Sequence, residues 1–350
     1  MNKKISIIIP CHNCSDSVGM TWDSIKAQTM GLDELECIFV DDASDDEGAT
    51  LNVLTEIEKE APVSVLVVQL DKNVRQGGAR NVALRYASGE YIIFLDADDT
   101  LRRDTCASLY EKAVRYDCDL IQFKHRHIKE NESLKGVPET GMITGAEALY
   151  DLADEANRKR LLTLSIGSAG CTNKFYRLDL VRNCASSYAE NVIYEEPKFV
   201  YPLFLYADKL LMLDEDYYEY RWRTDSTMTS QLGRRLLDHP KVQLELLEDL
   251  LARSEEYKKY REEIEYYFIK SFYIETLVFA YVNRGFISLE FMAYMQSVCK
   301  KFFPNALDNN YIKNDKVFEK ALSSLDRKFE EITELNFYEK QLAEQILQIK

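Results

Sequence analysis

Apolar runs alternate with amphipathic stretches along residues 1–125, and each run has the length of a buried strand. The runs predict strands at Ile5–Pro10, Glu36–Val40, Val63–Leu70, Tyr91–Leu95 and Leu120–Lys124. The amphipathic stretches predict helices at Asp16–Gln28, Glu47–Glu60, a segment that ends at Ala87, and Asp104–Tyr116. Ser15 is a candidate cap for the first helix. This alternation favours an α/β fold in which a mostly parallel sheet is flanked by helices.

The amino-acid composition changes after Gln231, where glycines become rare and long charged stretches begin. Leucines and aromatic residues recur there at helical spacing. We therefore predict two domains, an α/β domain over 1–230 and a helical C-terminal region over 231–350. Within the first domain, Asn131–Thr144 is polar and contains Gly and Pro, which predicts a loop that borders a cleft.

The composition is that of a globular protein with an acidic surface. Of 350 residues, 46% are hydrophobic, and 44 Lys and Arg against 59 Asp and Glu give a formal net charge of −15. Such a surface repels nucleic acid, so we exclude nucleic acid as a partner. The sequence has no signal-peptide core and no apolar run of membrane-spanning length. We expect a cytoplasmic protein, with peripheral contact at the inner face of the plasma membrane as a further option.

Eight cysteines are scattered along the chain, and the closest pair is Cys11 and Cys14. No second pair follows at zinc-ribbon spacing. Buried or unreactive thiols are therefore a better interpretation than a redox or metal site.

Three acids follow the predicted strand Tyr91–Leu95 within four positions. Ligands bind at the carboxyl ends of strands in open α/β sheets. Because side chains alternate along a strand, Asp96 and Asp98 are expected to face the same side, with Ala97 between them. Two carboxylates on one side are suitable ligands for Mg²⁺ or Mn²⁺ shared with a phosphate. A solvated acidic turn is the alternative for this motif when it is taken alone.

Polar groups follow three of the predicted strands, and sheet geometry is expected to gather them at one edge. They are His12 and Asn13, Asp41 and Asp42, and Asp96 and Asp98. A nucleotide site needs a hydrogen-bonding group for the base, cations for the diphosphate and oxygens for a metal. Gly77 and Gly78 precede a helix and would let backbone amides approach phosphate, with Arg80 adding charge. The motif is neither a dinucleotide fingerprint nor a Walker A loop.

Taken together, these motifs resemble the family 2 glycosyltransferases, which have the nucleotide-sugar-binding GT-A fold. The resemblance covers about Ile5–Ser230. The matching segments are Ile7–Asn13, Phe39–Asp45, Gly77–Asn81, Ala87–Tyr91, Asp96–Asp99, Lys174–Arg177 and Tyr194–Glu196.

The resemblance implies a donor site and a metal site. In the family, the acid matched by Asp42 accepts a hydrogen bond from uracil, and the Asp-x-Asp motif binds Mn²⁺ or Mg²⁺. The implied metal ligands are Asp98 and Asp96. The implied donor-binding residues are Pro10, His12, Asn13, Asp42, Gly78, Arg80, Asp96 and Ala97.

The resemblance also implies a pair of catalytic acids. Glu195 and Glu196 lie where the family usually has Glu-Asp, whose second acid is the proposed base. The resemblance therefore implies that Glu196 is the base, although here the longer Glu replaces Asp. Pro197 biases Glu196 toward an extended backbone and can open a helix, which would place the carboxylate at a positive helix end.

We therefore expect an inverting, metal-dependent glycosyltransferase of polysaccharide biosynthesis. It would move a hexosyl or N-acetylhexosaminyl group from a UDP-sugar to a hydroxyl of a glycan or lipid-linked acceptor. The alternatives are a non-catalytic nucleotide-sugar-binding or scaffold protein and a nucleotidyltransferase. The last should have a Gly-rich loop after the first strand, where this chain has Pro10–Asn13. The helical tail is expected to bind the acceptor, to form homo-oligomers, or to rest against the membrane.

Overall fold

The chain separates into two compact units, residues 1–226 and 227–350. The computed structural model describes residues 3–129, 139–141, 145–222, 235–284 and 289–315. The predicted domain boundary at 230 lies outside the described residues, as do most of the predicted loop Asn131–Thr144 and the end of the tail.

Among the described residues, the first unit contains one mixed sheet of nine strands. The strands are β1 (Ile5–Cys11), β2 (Leu35–Asp41), β3 (Val65–Gln69), β4 (Tyr91–Phe94), β5 (Thr100–Leu101), β6 (Leu120–Lys129), β7 (Ala148–Asp151), β8 (Lys174–Arg177) and β9 (Lys209–Trp222). Their order is β3-β2-β1-β4-β8-β6-β9-β5, and β7 pairs with β9. The first four strands are mutually parallel, as predicted, whereas β8 runs antiparallel to β4 and β6.

Helices cover the sheet and connect its strands. They are α1 (Val18–Lys26), α2 (Ala49–Glu60), α3 (Arg75–Tyr86), α4 (Thr105–Tyr116), α5 (Glu155–Leu162), α6 (Leu178–Cys184) and α7 (Glu196–Leu203), with a 3-10 turn at Leu32–Glu34. The four predicted helices correspond to α1 to α4. The prediction of Ser15 as a cap was wrong, because α1 begins at Val18 and Ser17 occupies the cap position. The Ser17 hydroxyl donates to the Cys14 carbonyl and the Ala97 carbonyl, so tertiary contacts fix this position.

The register of the parallel strands brings their carboxyl ends to one edge. β1 pairs with β2 from Ile5↔Leu35 to Cys11↔Asp41. On its other side, β1 pairs with β4 only as far as Ile8↔Phe94. The last residues of β1 therefore lack a partner on the β4 side, which leaves room for Pro10 in a strand and opens the sheet at that edge. All three predicted polar segments begin at this opening.

The second unit is helical through the residues that the structure describes. Its elements are α8 (Asp238–Ala252), α9 (Ser254–Lys259), α10 (Arg261–Phe268), a π-helix (Ile269–Glu275), α11 (Thr276–Arg284), α12 (Leu289–Phe302), a 3-10 turn (Ala306–Asp308) and α13 (Asn310–Asn314). Phe268, Phe272 and Met295 are buried in a core of its own. None of the helices in the described ranges combines the length and apolarity needed to cross a bilayer.

Candidate active site

One corner of the strand edge is built around Asp42, directly after β2. Its carboxylate is buried and accepts a hydrogen bond from the Val74 amide at 2.6 Å. Burial raises the pKa of this carboxyl group. The His12 ring contacts the Asp42 carbonyl at 3.0 Å, and the Asn73 amide lies 3.3 Å from the same ring. The structure thus brings His12 and Asp42 together, as the sequence predicts, and adds Asn73.

The loop after β1 is closed by Asn13, whose φ of +50° lies in the left-handed region that Asn tolerates. Its side-chain oxygen accepts from the Asp45 amide at 2.9 Å, and its amide nitrogen donates to the Asp45 carboxylate. The Ser44 hydroxyl accepts from the Asn13 backbone at 3.0 Å. Asn13 therefore ties the loops after β1 and β2 to each other, while its predicted contact with the donor stays a prediction.

The acids after β4 lie on a turn, so the prediction that strand alternation aligns Asp96 with Asp98 was wrong. β4 ends at Phe94, and the Asp99 amide donates to the Asp96 carbonyl at 3.0 Å. A turn forms because β1 and β4 stop pairing at Phe94, so no neighbouring strand extends the chain further. Both side chains are nevertheless partly exposed at the same turn.

Asp99 anchors this turn, and sequence reasoning did not single it out. Its buried carboxylate accepts from the Tyr218 hydroxyl and from the Arg221 amide, both at 2.7 Å. The Tyr218 oxygen in turn accepts from the Asp96 amide at 3.1 Å. Burial and the adjacent carboxylates raise the pKa of Asp99 well above its usual value. The position of Asp99 next to Asp98 could have indicated a role for it, whereas no local feature of the sequence identifies Tyr218.

The donor set at the turn suits a hard divalent cation. Asp96 and Asp98 offer carboxylate oxygens, which Mg²⁺ and Mn²⁺ prefer, and these ions complete their shells with water and phosphate. One Asp96 oxygen already accepts from Arg80 at 2.7 Å. Within the described ranges, no three His, Cys, Asp or Glu side chains form a ready-made metal site.

Arg80 joins this turn to the pair of glutamates. Its guanidinium is buried and contacts Glu195 at 2.6 Å and Asp96 at 2.7 Å. Cation–π contacts with Tyr188 and Phe94 surround it at 5.4 and 6.0 Å. Its predicted contact with phosphate stays a prediction, and the observed contacts instead make Arg80 a link between two groups of acids.

Packing explains why positions 77 and 78 are glycines, and the sequence alone did not indicate this. Both lie in the first turn of α3 and are buried. A Cβ on Gly77 would lie 2.4 Å from the Ala189 carbonyl oxygen and 2.8 Å from Glu195 Cγ. A Cβ on Gly78 would lie 2.6 Å from Val74 Cβ. Gly77 lets α3 approach the segment that leads to the glutamates, and Gly78 leaves room for the Val74 side chain. The predicted role of Gly78 toward phosphate stays a prediction.

The two glutamates occupy different environments at the start of α7. Glu195 is 0% exposed and contacts Arg80 and Gln76. Burial raises the pKa of the Glu195 carboxyl, and the nearby Arg80 charge opposes that shift. Glu196 is partly exposed, and its Oε1 accepts from the Cys171 amide at 2.7 Å. Of the two side chains, that of Glu196 is the more exposed.

The backbone at the glutamates differs in part from the prediction. α7 begins at Glu196 with Pro197 in its first turn, which confirms the predicted helix start. The prediction of an extended backbone at Glu196 was wrong, because Glu196 is the first residue of the helix. Glu195, which precedes it, is also in the right-handed helical region (φ −71°, ψ −19°). Contacts of both carboxylates with distant residues outweigh the local preference of a residue before proline. Tyr194, just before them, has a φ of +66°, a strained value that often occurs at functional sites.

These groups form one connected site within the first unit. Val74 donates to Asp42 through its amide and accepts from the Asn191 amide at 3.1 Å through its carbonyl. Arg80 connects Asp96 with Glu195. Val74, just before α3, thus joins the corner around Asp42 to the segment that precedes the glutamates, and Arg80 on α3 joins the acid turn to Glu195.

Cys11 and Cys14 give no sign of a metal or redox site. All eight cysteines are buried free thiols. Burial raises the pKa of Cys11 well above its usual value, which disfavours the reactive thiolate.

Comparison with known proteins adds an independent line of evidence. A family model described as "Glycosyl transferase family 2" matches residues 6–184. A poly(ribitol-phosphate) beta-glucosyltransferase of Bacillus spizizenii is 29% identical over 217 residues, which are 61% of this chain and 32% of that protein. The poly(ribitol-phosphate) beta-N-acetylglucosaminyltransferase TarP of Staphylococcus aureus is 34% identical over 149 residues, 42% of this chain and 44% of TarP. The chain thus spans about a third to under half of the length of these relatives.

A solved structure shares the fold. Residues 1–349 of S. aureus TarS superpose with a TM-score of 0.67 at 20% identity, over 99% of this chain and 92% of that one. The same fragment in complex with UDP-GlcNAc superposes with a TM-score of 0.57 at 19% identity, over 85% of this chain and 91% of that one. At this level of identity the match concerns the fold.

Proposed function

Because the chain belongs to glycosyl transferase family 2, we propose that it transfers a sugar from a UDP-sugar to a hydroxyl group with inversion at the anomeric carbon. The observation that carries this proposal is the connected site in which Asp42 and the acid turn lie at one strand edge and Arg80 joins the turn to Glu195, next to Glu196. A nucleobase needs a hydrogen-bonding group, a diphosphate needs acids that can hold a metal ion, and an attacking hydroxyl needs a proton acceptor.

Donor recognition is assigned to the corner around Asp42. A carboxylate accepts hydrogen bonds, and uracil offers a ring N–H where cytosine has an unprotonated nitrogen. His12 and Asn73 border the same corner and would contact the base or the ribose. The relatives named above use glucosyl or N-acetylglucosaminyl groups, so UDP-glucose and UDP-N-acetylglucosamine are the donors to test first.

The acid turn is assigned to the diphosphate. A divalent cation held by Asp98 and Asp96 would neutralise the charge on the departing diphosphate. Arg80 holds the Asp96 carboxylate in place, and the hydrogen bonds of Asp99 fix the turn. These residues therefore orient the diphosphate before any bond changes.

Glu196 is assigned as the base that takes the proton from the attacking hydroxyl. Its Oε1 accepts from the Cys171 amide, and among the described residues Oε2 takes part in no hydrogen bond or ion pair. Glu195 is buried against Arg80 and serves to position the start of α7. The acceptor is proposed to be a glycan or lipid-linked hydroxyl, and poly(ribitol phosphate) is the first acceptor to test because both relatives are named for it.

The test is a donor panel with the purified chain. Thermal shift and UDP release are measured with UDP-glucose, UDP-N-acetylglucosamine and the corresponding CDP and GDP compounds, each with and without Mn²⁺. We expect stabilisation and slow hydrolysis with a UDP-sugar and Mn²⁺ together. Binding without any hydrolysis or transfer would favour the non-catalytic binding protein, and no nucleotide binding at all would contradict the proposal. The role of the helical unit in acceptor binding, self-association or membrane contact stays a prediction.

A further inference from the structure

Lys174, the first residue of β8, carries a fully buried ammonium group. Its Nζ donates to the Gly170 carbonyl at 2.5 Å, to Asn173 Oδ1 at 2.9 Å and to Ser168 Oγ at 3.2 Å. These three neutral oxygens match the three donors of an ammonium group. Burying a cation in this way is costly, and the residue plays no part in the binding steps described above.

The carbonyl that Lys174 binds belongs to the same peptide group as the amide that holds Glu196. The Gly170 oxygen accepts from Lys174, and the Cys171 nitrogen across that peptide bond donates to Glu196 Oε1 at 2.7 Å. A cation on the oxygen of a peptide group polarises it and strengthens its N–H as a donor. The ammonium and the carboxylate therefore act on the two ends of one peptide group.

The segment that contains this peptide group is fixed at both ends by β6. The Ser168 amide donates to Gln122 Oε1 at 3.0 Å, and the Phe123 amide donates to the Asn173 carbonyl at 3.0 Å. The Tyr176 hydroxyl donates to the Cys171 carbonyl at 2.9 Å. The peptide group is therefore held in a fixed orientation toward α7.

We propose that Lys174 is a positioning residue that holds and electrostatically tunes Glu196 through the Gly170–Cys171 peptide group. This inference rests on the proposed role of Glu196 as the base. Lys174 does not touch a substrate in this scheme. It keeps one carboxylate oxygen of Glu196 occupied, so that the other faces the acceptor.

The Lys174 ammonium, the Gly170–Cys171 peptide group and the Glu196 carboxylate form a relay. The titratable and charged groups near it are Glu195 before α7, Cys171 in the loop, Tyr176 on β8, Tyr188 before α7, Tyr220 on β9, His125 on β6, Arg80 on α3 and Asp96 after β4. Burial raises the pKa values of the thiol and of the Tyr176 and Tyr220 phenols, and burial lowers the pKa of His125 to about 3. Burial also lowers the pKa of Lys174 to about 7, so its ammonium is charged over the acidic range in which a carboxylate base loses its proton. Loss of Lys174 should therefore be visible on the acid limb of the pH–rate profile.

The experiment compares Lys174→Met with the unaltered chain in Mn²⁺-dependent hydrolysis of UDP-N-acetylglucosamine or UDP-glucose, with water as acceptor. We expect kcat to fall about 10–100-fold, as for other residues that orient a reacting group. The acid limb of kcat should move to higher pH by about half a unit to one unit, because a nearby positive charge is lost. The KM for the donor should stay within about twofold.

Two controls separate positioning from general damage. Lys198→Met removes a lysine on α7 that contacts Ser187 instead of the relay, and it should leave the acid limb in place. In a Glu196→Gln background, Lys174→Met should cause no further loss, because its effect passes through that carboxylate. If Lys174→Met does not fold by circular dichroism, Lys174→Gln removes the charge but keeps a donor toward the Gly170 carbonyl, and it should shift the limb in the same direction.

The outcomes distinguish this inference from the proposed function. An unmoved acid limb in Lys174→Met or Lys174→Gln, with Glu196→Gln inactive, would overturn the relay and leave the proposed base in place. An additive loss in the double variant would also overturn the relay. If Glu196→Gln keeps full activity, or the unaltered chain shows no hydrolysis, the proposed function fails and the relay fails with it.

Discussion

The site brings together two regions that hold their carboxylates by different means. The strand-end acids, Asp42, Asp96 and Asp98, directly follow parallel strands, and Asp42 is fixed by a nearby backbone amide. The glutamate pair, Glu195 and Glu196, is fixed by contacts that are remote in sequence: Arg80 lies 115 positions from Glu195, and Cys171 lies 25 positions from Glu196. The strand-end acids follow from topology, whereas the glutamate pair depends on the packing of the whole unit.

The difference predicts how each region should respond to substitution. Removing an acid of the turn, such as Asp98, should change ligand binding while the fold survives, because its side chain is partly exposed. Changing the contacts of the glutamate pair should affect stability and catalysis together, because Glu195 is a buried charge in the core. Arg80 contacts both regions and therefore tests the connection between them.

The largest expected effect comes from Glu196→Gln, which keeps the shape of the side chain and removes its proton-accepting charge. Transfer should fall by roughly 10²–10⁴-fold while UDP and Mn²⁺ affinities are retained. Glu195→Gln should be milder in transfer, because Glu195 faces Arg80 and not the acceptor. Single-turnover transfer measures both. An inactive Glu195→Gln beside an active Glu196→Gln would reverse the roles.

The next effect is on stability. Arg80→Met leaves Glu195 buried without its cation, which should lower the free energy of unfolding by about 3–5 kcal/mol. Urea denaturation measures this loss. Arg85→Met, on the exposed side of the same helix, is the matched control and should change stability by less than about 0.5 kcal/mol. Equal losses in the two variants would show that Arg80 does not connect the two regions as described.

Asp98→Asn should affect the metal without affecting the fold. The rate should fall on the order of 10²–10³-fold, by analogy with loss of one electrostatic stabiliser. The Mn²⁺-dependent part of UDP affinity should disappear in calorimetry, while the melting temperature stays near that of the unaltered chain. Asp71→Asn changes an exposed acid after β3 and serves as the control. An unchanged titration in Asp98→Asn would refute the metal assignment.

The smallest expected effect concerns which nucleobase the site prefers. UDP should bind more tightly than CDP, because Asp42 accepts from the ring N–H of uracil. In Asp42→Ala this preference should shrink by about 10-fold or more, the value of one hydrogen bond to a charged group. Competition between UDP and CDP measures the ratio directly. Equal competition by UDP and CDP in the unaltered chain would mean that the nucleobase does not bind at Asp42.

The sequence by itself determined the parallel half of the sheet and the family. Short apolar runs separated by amphipathic stretches are compatible with few folds other than alternating strands and helices. As a result, β1 to β4 and α1 to α4 lie where the pattern predicts them. The positions of Asp42, Asp96 and Asp98 follow from the same pattern, since the register of parallel strands places their ends at one edge. Local periodicity carries this information because each strand is made of consecutive residues.

Only the tertiary structure decided how the side chains of the site are held. Strand alternation failed at Asp96 and Asp98, because β4 ends early and the acids form a turn anchored by Tyr218. The burial of Arg80 between Asp96 and Glu195 and the Lys174 contact with the Gly170 carbonyl join residues from separate elements. Hydrogen bonds and ion pairs of this kind depend on distances set by packing, and a linear pattern of polar and apolar residues does not encode those distances.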